Sequence, residues 1–359
     1  MSKQIKIGCI ASALSQTTFV SGIQKVTVEN NRLIKENLAS LGVHFSGVHV
    51  EPQDYHNDFR QSEYLASDVV LKGEKVGLAD VDLLFIPDCT SQVPAIEILK
   101  EKERREFPVV SLLFDVLPLT HPQLFPTKQS NMAFQVNLQK QLAVSDVIVC
   151  ISETTKRGLL SLGFKIKGEI LVSHLGAPPV QAMVPKLHFQ HTLICVGTIE
   201  PRKGHKDLID AFDILRVSIP DLVLIIAGRL GWDSELMSRR IMSHPEYKKR
   251  LKWFESPSEK ELEVLYSLSK LAIAPTVAEG YGLNIDEALS RSVKVLARDL
   301  QVFRERESKN VYYFSGGGHD LALAITKYID LEFETEELRQ FRDFSQDVTS
   351  VLLRYLPRN

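Results

Sequence analysis

Short apolar, β-rich runs recur along this 359-residue chain, spaced so that one helix fits between each run and the next. The runs at 5–10, 43–50, 81–86, 107–114, 147–151 and 170–172 alternate with a long helix that follows the loop ending at Ile23 and with helix-like segments around 61–79, 92–106, 129–144 and 153–162. Consecutive parallel strands need a crossover of a dozen residues or more, so this rhythm predicts a parallel, doubly wound sheet with helices on both faces. The first helix has an apolar face of Val26, Leu33, Ile34, Leu38 and Leu41 and is closed by Gly42. Residues 174–191 break the rhythm with Pro178, Pro179 and Pro185 and read as a linker. A second alternation follows, with strands at 193–196, 222–227, 271–274 and 293–297 and helices at 203–217, 234–250, 259–268 and 283–291. The expected organisation is two α/β domains, 1–180 and 186–334. A C-terminal helix at 335–359, with Leu338, Phe341, Phe344, Val348, Val351 and Leu352 as its apolar face, packs back on the body.

In open α/β sheets the loops at the carboxyl ends of the strands lie along one edge, and ligands bind there. The loop after the run 271–274 reads Pro275-Thr-Val-Ala-Glu279-Gly280-Tyr281-Gly282-Leu283 and continues to Glu287. Gly280 and Gly282 allow close approach of the backbone, and a helix opening at Leu283 points its unpaired amides into the loop, which makes an anion site suited to phosphate. Glu279 and Glu287 repel phosphate unless each faces a neutral, hydroxyl-rich group. A nucleotide sugar offers both, with the diphosphate on the amides and the sugar and ribose on the glutamates. Asp286 and Glu287 also fit as first-turn acids favoured by the helix dipole.

A second loop, after 193–196, reads Gly197-Thr198-Ile199-Glu200-Pro201-Arg202-Lys203-Gly204-His205. Two cations at a helix start oppose its dipole, so local stability does not account for them, whereas a bound diphosphate does. The polar loop ending at Ser21-Gly22-Ile23 in the first domain is a further candidate anion site.

The net charge of −2 gives no electrostatic reason for a nucleic-acid partner. Cys9, Cys89, Cys150 and Cys195 lie apart in or beside apolar runs and read as reduced core residues. No apolar run reaches the length of a membrane span, which gives a cytoplasmic reading. The basic run Arg239, Arg240, Lys248, Lys249, Arg250 and Lys252 fits an ordinary surface or a peripheral contact with the inner membrane surface. Asp80-Val-Asp82 imitates a metal-binding pair but precedes a strand rather than following one, and reads as chance.

Together these stretches resemble the family 4 retaining glycosyltransferases over nearly the whole chain. The carriers are Ser21-Gly22-Ile23-Gln-Lys-Val, Phe114-Asp115-Val-Leu-Pro118 with Pro122-Gln-Leu-Phe-Pro126, Ile151-Ser152-Glu-Thr-Thr-Lys156, the 197–204 loop, and Glu279-Gly-Tyr-Gly-Leu with Glu287. The resemblance implies the GT-B fold, two facing Rossmann-like domains with an interdomain cleft. It casts Lys203 and Arg202 as diphosphate ligands assisted by the amides of Gly282 and Leu283, Glu279 beside the donor sugar and Glu287 on the ribose. Gly197, Thr198, Gly280 and Tyr281 line the donor site, Gly22 closes over the phosphates, and Asp115 stands at the first domain's side. It implies no metal and no cofactor beyond the nucleoside diphosphate sugar substrate.

The implied activity is metal-independent, retaining transfer to a hydroxyl, similar to bacterial surface-polysaccharide (lipopolysaccharide-type) transferases acting on a lipid-linked glycan, with GDP-mannose as the expected donor. Two positions depart from the family pattern. Phe114 stands where a histidine is frequent, with His121 a substitute polar group, and Thr198 where many relatives carry arginine. Phe114 favours an alternative, a non-catalytic GT-B-fold partner that stabilises another glycosyltransferase. The intact Glu279, Glu287, Arg202 and Lys203 favour the enzyme. A dinucleotide-dependent oxidoreductase requires Gly-x-Gly-x-x-Gly after the first strand, and the chain has no such spacing.

Overall fold

The structure is a computed structural model that describes residues 5–10, 22–49, 76–88, 93–180 and 191–357. The chain divides into two compact units. The first comprises Met1–Pro122, Thr127–Leu175 and Phe341–Asn359, and the second Gln123–Pro126 and Gly176–Gln340.

In the first unit β1 (Lys6–Cys9), α1 (Gly22–Ala39), β2 (His44–His49), β3 (Val76–Gly77), β4 (Leu83–Ile86), α2 (Ala95–Arg104), β5 (Val109–Leu113), α3 (Leu117–Thr120), α4 (Lys128–Val144), β6 (Val147–Cys150), α5 (Glu153–Ser161) and β7 (Glu169–Val172) follow in sequence. The strands form one sheet in the order β3-β2-β1-β4-β5-β6-β7, every pair parallel. Strands β4, β5 and β6 are buried at every position, as expected where helices cover both faces. Helix α1 packs against α11 (Phe341–Arg354), the last helix of the chain. Ser345 Oγ donates to Asn30 Oδ1 at 2.9 Å and Asn37 Nδ2 to Thr349 Oγ1 at 3.2 Å, while Phe344, Val348 and Leu352 are buried.

In the second unit β8 (Thr192–Val196), α6 (His205–Ser218), β9 (Val223–Ala227), α7 (Glu235–Met242), β10 (Leu251–Phe254), α8 (Glu259–Ser267), β11 (Leu271–Ala274), α9 (Leu283–Ser290), β12 (Lys294–Arg298), β13 (Val311–Phe314) and α10 (Gly318–Tyr328) build a parallel sheet in the order β10-β9-β8-β11-β12-β13. One core, including Leu193, Phe212 and Leu296, lies on one face and another, including Tyr266, Ile285 and Phe303, on the other.

Several sequence expectations need correction. Of the helix expected at 61–79, residues 61–75 lie outside the described residues. Residues 76–77 pair with β2 as a strand and 78–80 make one 3-10 turn. The helix expected at 234–250 ends at Met242, and 251–254 form an edge strand. There Trp253 Nε1 donates to the carbonyl of Gly228 at 2.9 Å. Alternating Lys252 with apolar neighbours suits a strand buried on one side only, a pattern that the search for fully apolar runs passes over. Strand β13 and helix α10 lie in a stretch to which the sequence assigned no element.

The last helix starts at Phe341 rather than 335. Glu336 is held by Ser308 Oγ at 2.6 Å and Asn310 Nδ2 at 2.8 Å, so the chain before 341 stays extended along the preceding loop. In the stretch expected as a linker, Ala177 N donates to the carbonyl of Arg339 at 2.7 Å, and 181–190 lie outside the described residues.

Cys9, Cys150 and Cys195 are buried free thiols, and burial pushes Cys150 and Cys195 up to about 12. Cys89 lies outside the described residues. Among the described residues no helix is long and apolar enough to cross a membrane. In the basic run Arg239 pairs with Glu235, Arg240 with Asp210 and Asp213, and Arg250 with Glu246, so half of its cations are answered locally.

Candidate active site

Strands β8 and β11 are neighbours, yet the chain leaves β8 towards β9 on one side and β11 towards β12 on the other. A crevice opens at such a switch point, outside the carboxyl ends of the strands. Both sequence motifs emerge there, and the structure locks them together. Val277 N donates to the carbonyl of Arg202 at 2.9 Å, Arg202 Nη1 to that of Ala278 at 3.1 Å, and Asn284 Nδ2 to that of Val196 at 3.2 Å. Gly204 is left-handed at φ +71°, and a Cβ there would lie 2.1 Å from the carbonyl oxygen of Pro275. The two loops therefore approach as closely as backbone allows.

At this junction the charged side chains converge. Lys203 Nζ lies 2.7 Å from Glu279 Oε2, and Arg202 Nη1 lies 3.0 Å from Glu279 Oε1. Arg202 also reaches Glu200, with Nη2 at 2.7 Å and Nε at 2.9 Å from Oε1. The Arg202, Lys203 and Glu279 side chains are 14–16% exposed and that of Glu200 only 3%. Burial pushes the Glu279 carboxyl up, but Lys203 and Arg202 outweigh it and hold the group at about 2. For Glu200 burial wins over Arg202 and Lys203, and its carboxyl is raised. His205, the first residue of α6, is buried behind the loop, and burial together with Lys203 brings it down to about 4, so its ring is neutral.

Helix α9 begins at this junction with Gly282 as its N-cap, at φ +88° and with no side-chain cap. Its first amides and positive dipole end therefore face the crevice. Behind it Asp286 and Arg306 form a buried pair at 2.8 Å, Arg306 Nη2 donates to the carbonyl of Gly282 at 3.0 Å, and the guanidinium lies 4.0 Å from the ring centroid of Tyr281. Tyr281 OH accepts a hydrogen bond from Gly176 N at 2.9 Å.

The expected site residues thus fall into groups. Arg202, Lys203 and Glu279 meet directly. Gly197 lies against the Lys203 stem, its added Cβ 3.7 Å from Lys203 Cδ, and Thr198 packs at Gly231. Gly280, Gly282 and Leu283 form the turn into α9. Tyr281 is buried, with its ring against Arg306 and its hydroxyl on Gly176 N. Glu287 lies one turn into α9, where burial and this carboxylate together push the Tyr266 hydroxyl up. Gly22 and Asp115 belong to the first unit. Gly22 is the first residue of α1, and Asp115 Oδ1 accepts from Leu117 N at 3.0 Å. Phe114 is buried at 3% exposure, a core residue. His121 Nδ1 lies 2.9 Å from Thr120 Oγ1. Asp80 and Asp82 spend carboxylate oxygens on Gly77 N and Lys6 N.

Sequence reasoning missed Glu200, His205, Asn284 and Arg306. Glu200 was visible as an acid two residues before an arginine in a short loop. Arg306 had no sequence signal, since its partner Asp286 is twenty residues away.

Residues 185–346, spanning both loops, match the family described as glycosyl transferases group 1. The match covers just under half of the chain, nearly all of it in the second unit. Similarity to known proteins runs beyond that stretch. The chain is 28% identical to the serotype-specific mannosyltransferase WbdA of Escherichia coli over 89% of this chain and 41% of that protein. It is 22% identical to the O-antigen chain mannosyltransferase B of Escherichia coli over 53% of each. The chain therefore spans about two fifths of the length of the first relative. In structure it is similar to HepE of Anabaena in complex with UDP-glucose, with a TM-score of 0.64, 17% identity, and 97% of this chain and 95% of that one covered. Shared over both units, this likeness gives the chain a GT-B fold.

Proposed function

We propose that the protein transfers a sugar from a nucleoside diphosphate sugar to an acceptor hydroxyl, with the diphosphate held by Arg202, Lys203 and the N-terminus of α9. The observation that carries this is the buried meeting of Arg202 and Lys203 with Glu279 at the switch point, inside the stretch that matches the group 1 glycosyl transferases. Two cations and a helix N-terminus supply the charge stabilisation that a departing diphosphate requires, which is the task a metal ion performs elsewhere, so the proposed reaction is metal-independent. Glu279 accepts hydrogen bonds from the donor sugar and Glu287 from the ribose.

In the proposed front-face course the bond between the anomeric carbon and the diphosphate oxygen breaks. The acceptor oxygen bonds on the same face, and its proton passes to the leaving phosphate, giving retention. Arg202 and Lys203 balance the charge that collects on the diphosphate. The proposed donor is GDP-mannose and the proposed acceptor a lipid-linked glycan of a bacterial surface polysaccharide, by analogy with relatives named as mannosyltransferases, one of them an O-antigen chain enzyme. A basic surface suits peripheral contact with the membrane that carries such a lipid. Phe114 is buried in the first unit's core, and its place at the usual histidine position still favours the alternative of a non-catalytic partner, against the intact Arg202, Lys203 and Glu279 cluster.

The test is an incubation with GDP-mannose, UDP-glucose and UDP-galactose, each with a lipid-tailed mannoside and no added metal, read by mass spectrometry and by the one-bond C1–H1 coupling at the anomeric centre of any product. An α-linked product from an α-linked donor is expected. Intact donors in every tube, from protein that binds nucleotide, move the reading to a non-catalytic binding role.

A further inference from the structure

Arg202 is shared between two carboxylates, and the one it holds most tightly is not the one that faces the proposed sugar. Glu200 Oε1 takes both Nε and Nη2 of the guanidinium, while Glu279 takes Nη1 and has Lys203 as a second cation. Two cations and two carboxylates leave the cluster with no net charge, and Glu200 is its most buried member, at 3% exposure. A nucleoside diphosphate sugar brings at least two further negative charges against these groups. An unpaired buried carboxylate beside a phosphate charge is screened far less than in water and is strongly disfavoured. The neutral form of a buried carboxyl then becomes the favoured one.

We propose that Glu200 is the positioning residue of Arg202 and the proton acceptor of the site. When the diphosphate of a nucleotide sugar draws the guanidinium onto its oxygens, Glu200 takes one proton from solvent and remains behind as a neutral carboxylic acid. The balance is simple: a carboxylate and a solvent proton give a carboxylic acid, and no covalent bond of the donor changes. Glu200 rather than Glu279 receives the proton because Glu279 faces two cations, Arg202 and Lys203, whereas Glu200 is the more buried and Arg202 is the sole side chain hydrogen-bonded to it among the described residues.

The charges acting on Glu200 are Arg202, Lys203 and Glu279. The loop packed on it brings Gly231 against its Cβ and also carries Arg229 and Asp233. Donor affinity therefore falls as pH rises, by at most tenfold per pH unit for a single linked proton. The inference rests on the diphosphate reading given above and adds a proton to it.

The experiment is isothermal titration of the full chain with GDP-mannose and UDP-glucose at pH 7, in PIPES and in Tris, buffers whose ionisation heats differ widely and neither of which carries phosphate. The diphosphate of a nucleotide sugar has no group titrating near neutrality, so the buffer-dependent heat counts protons taken up by protein. Uptake of roughly one proton per bound donor is expected, falling close to zero in Glu200→Gln. Glu200→Asp keeps a carboxyl, so it shifts the pH midpoint of the uptake and decides the assignment if the glutamine variant does not fold. Binding heat with no buffer dependence overturns the proton role of Glu200 and leaves the donor site standing. Uptake that survives unchanged in Glu200→Gln, or a midpoint unmoved in Glu200→Asp, overturns the assignment to this residue. No binding heat with either nucleotide sugar removes the donor reading and this inference with it.

Discussion

Lys203 Nζ lies 2.7 Å from Glu279 Oε2, so a cation from the loop after β8 and a carboxylate from the loop after β11 are joined across 76 residues of sequence. The pair links two loops that the parallel topology brings to one edge, and it ties the charge balance of the site to the stability of the domain. Removing the lysine leaves Glu279 buried with Arg202 alone. Lys203→Ala is expected to cost about 2 kcal/mol of stability, below the full penalty for a stranded buried charge because Arg202 remains. Urea denaturation checks the value. The double variant with Glu279→Gln should be less destabilised than the two single losses added together, since no partner is left stranded.

Acid should weaken the same domain through Glu279. Its folded value, about 2, lies below the ordinary 4.5, so the stabilisation is complete above the unfolded value and is lost as pH falls from 4.5 towards 2. That shift corresponds to roughly 3 kcal/mol. Glu200 acts with the opposite sign because its folded value is raised, in part by Glu279, so the difference between wild type and Glu279→Gln carries the Glu279 share together with that coupling. Urea titrations of both proteins at pH 7 and pH 3 measure it. A wild-type advantage that does not shrink between the two pH values contradicts the assignment.

The starts of α6 and α9 both depend on glycine. Gly204→Ala places a methyl 2.1 Å from the backbone oxygen of Pro275, which cannot swing aside, and Gly282→Ala places one 2.5 Å from the Phe303 ring at φ +88°. Both substitutions should destabilise by roughly 1–3 kcal/mol or more, Gly204→Ala by the larger amount because backbone yields less than a ring. Thermal melts of the two variants rank them.

Much of this architecture was legible in sequence, for physical reasons that also mark where legibility stopped. Strands such as 83–86 and 147–150 are buried on both faces and announce themselves as unbroken apolar runs. Strand 251–254 lies at a sheet edge with Lys252 exposed, and a two-residue strand at 76–77 has too few positions for any period to appear. At the site, Arg202 and Lys203 stood out because cations oppose a helix start, and Glu279 because a carboxylate sits in a phosphate loop. Arg306 was silent, as its role is fixed by Asp286, Tyr281 and the carbonyl of Gly282, none of which is near it in sequence.

Arg306 should therefore matter although no motif contains it. Arg306→Met strands Asp286, a carboxylate 9% exposed, beneath the glycine turn. A loss of about 3–5 kcal/mol is expected. Asp286→Asn combined with Arg306→Met should recover part of it, as read by urea denaturation. Donor affinity should fall in the single variant as well, because the guanidinium also holds the carbonyl of the N-cap Gly282.

The most direct test of the donor site is a set of melting curves with UDP, GDP, dTDP, ADP and CMP, without metal and then with magnesium, for wild type and Lys203→Ala. A ligand that binds only the folded state raises the melting temperature. The account predicts a rise with one nucleoside diphosphate in wild type, unchanged by magnesium and absent or much reduced in Lys203→Ala. A folded wild type that melts at the same temperature with every nucleotide, or an equal rise in Lys203→Ala, contradicts it.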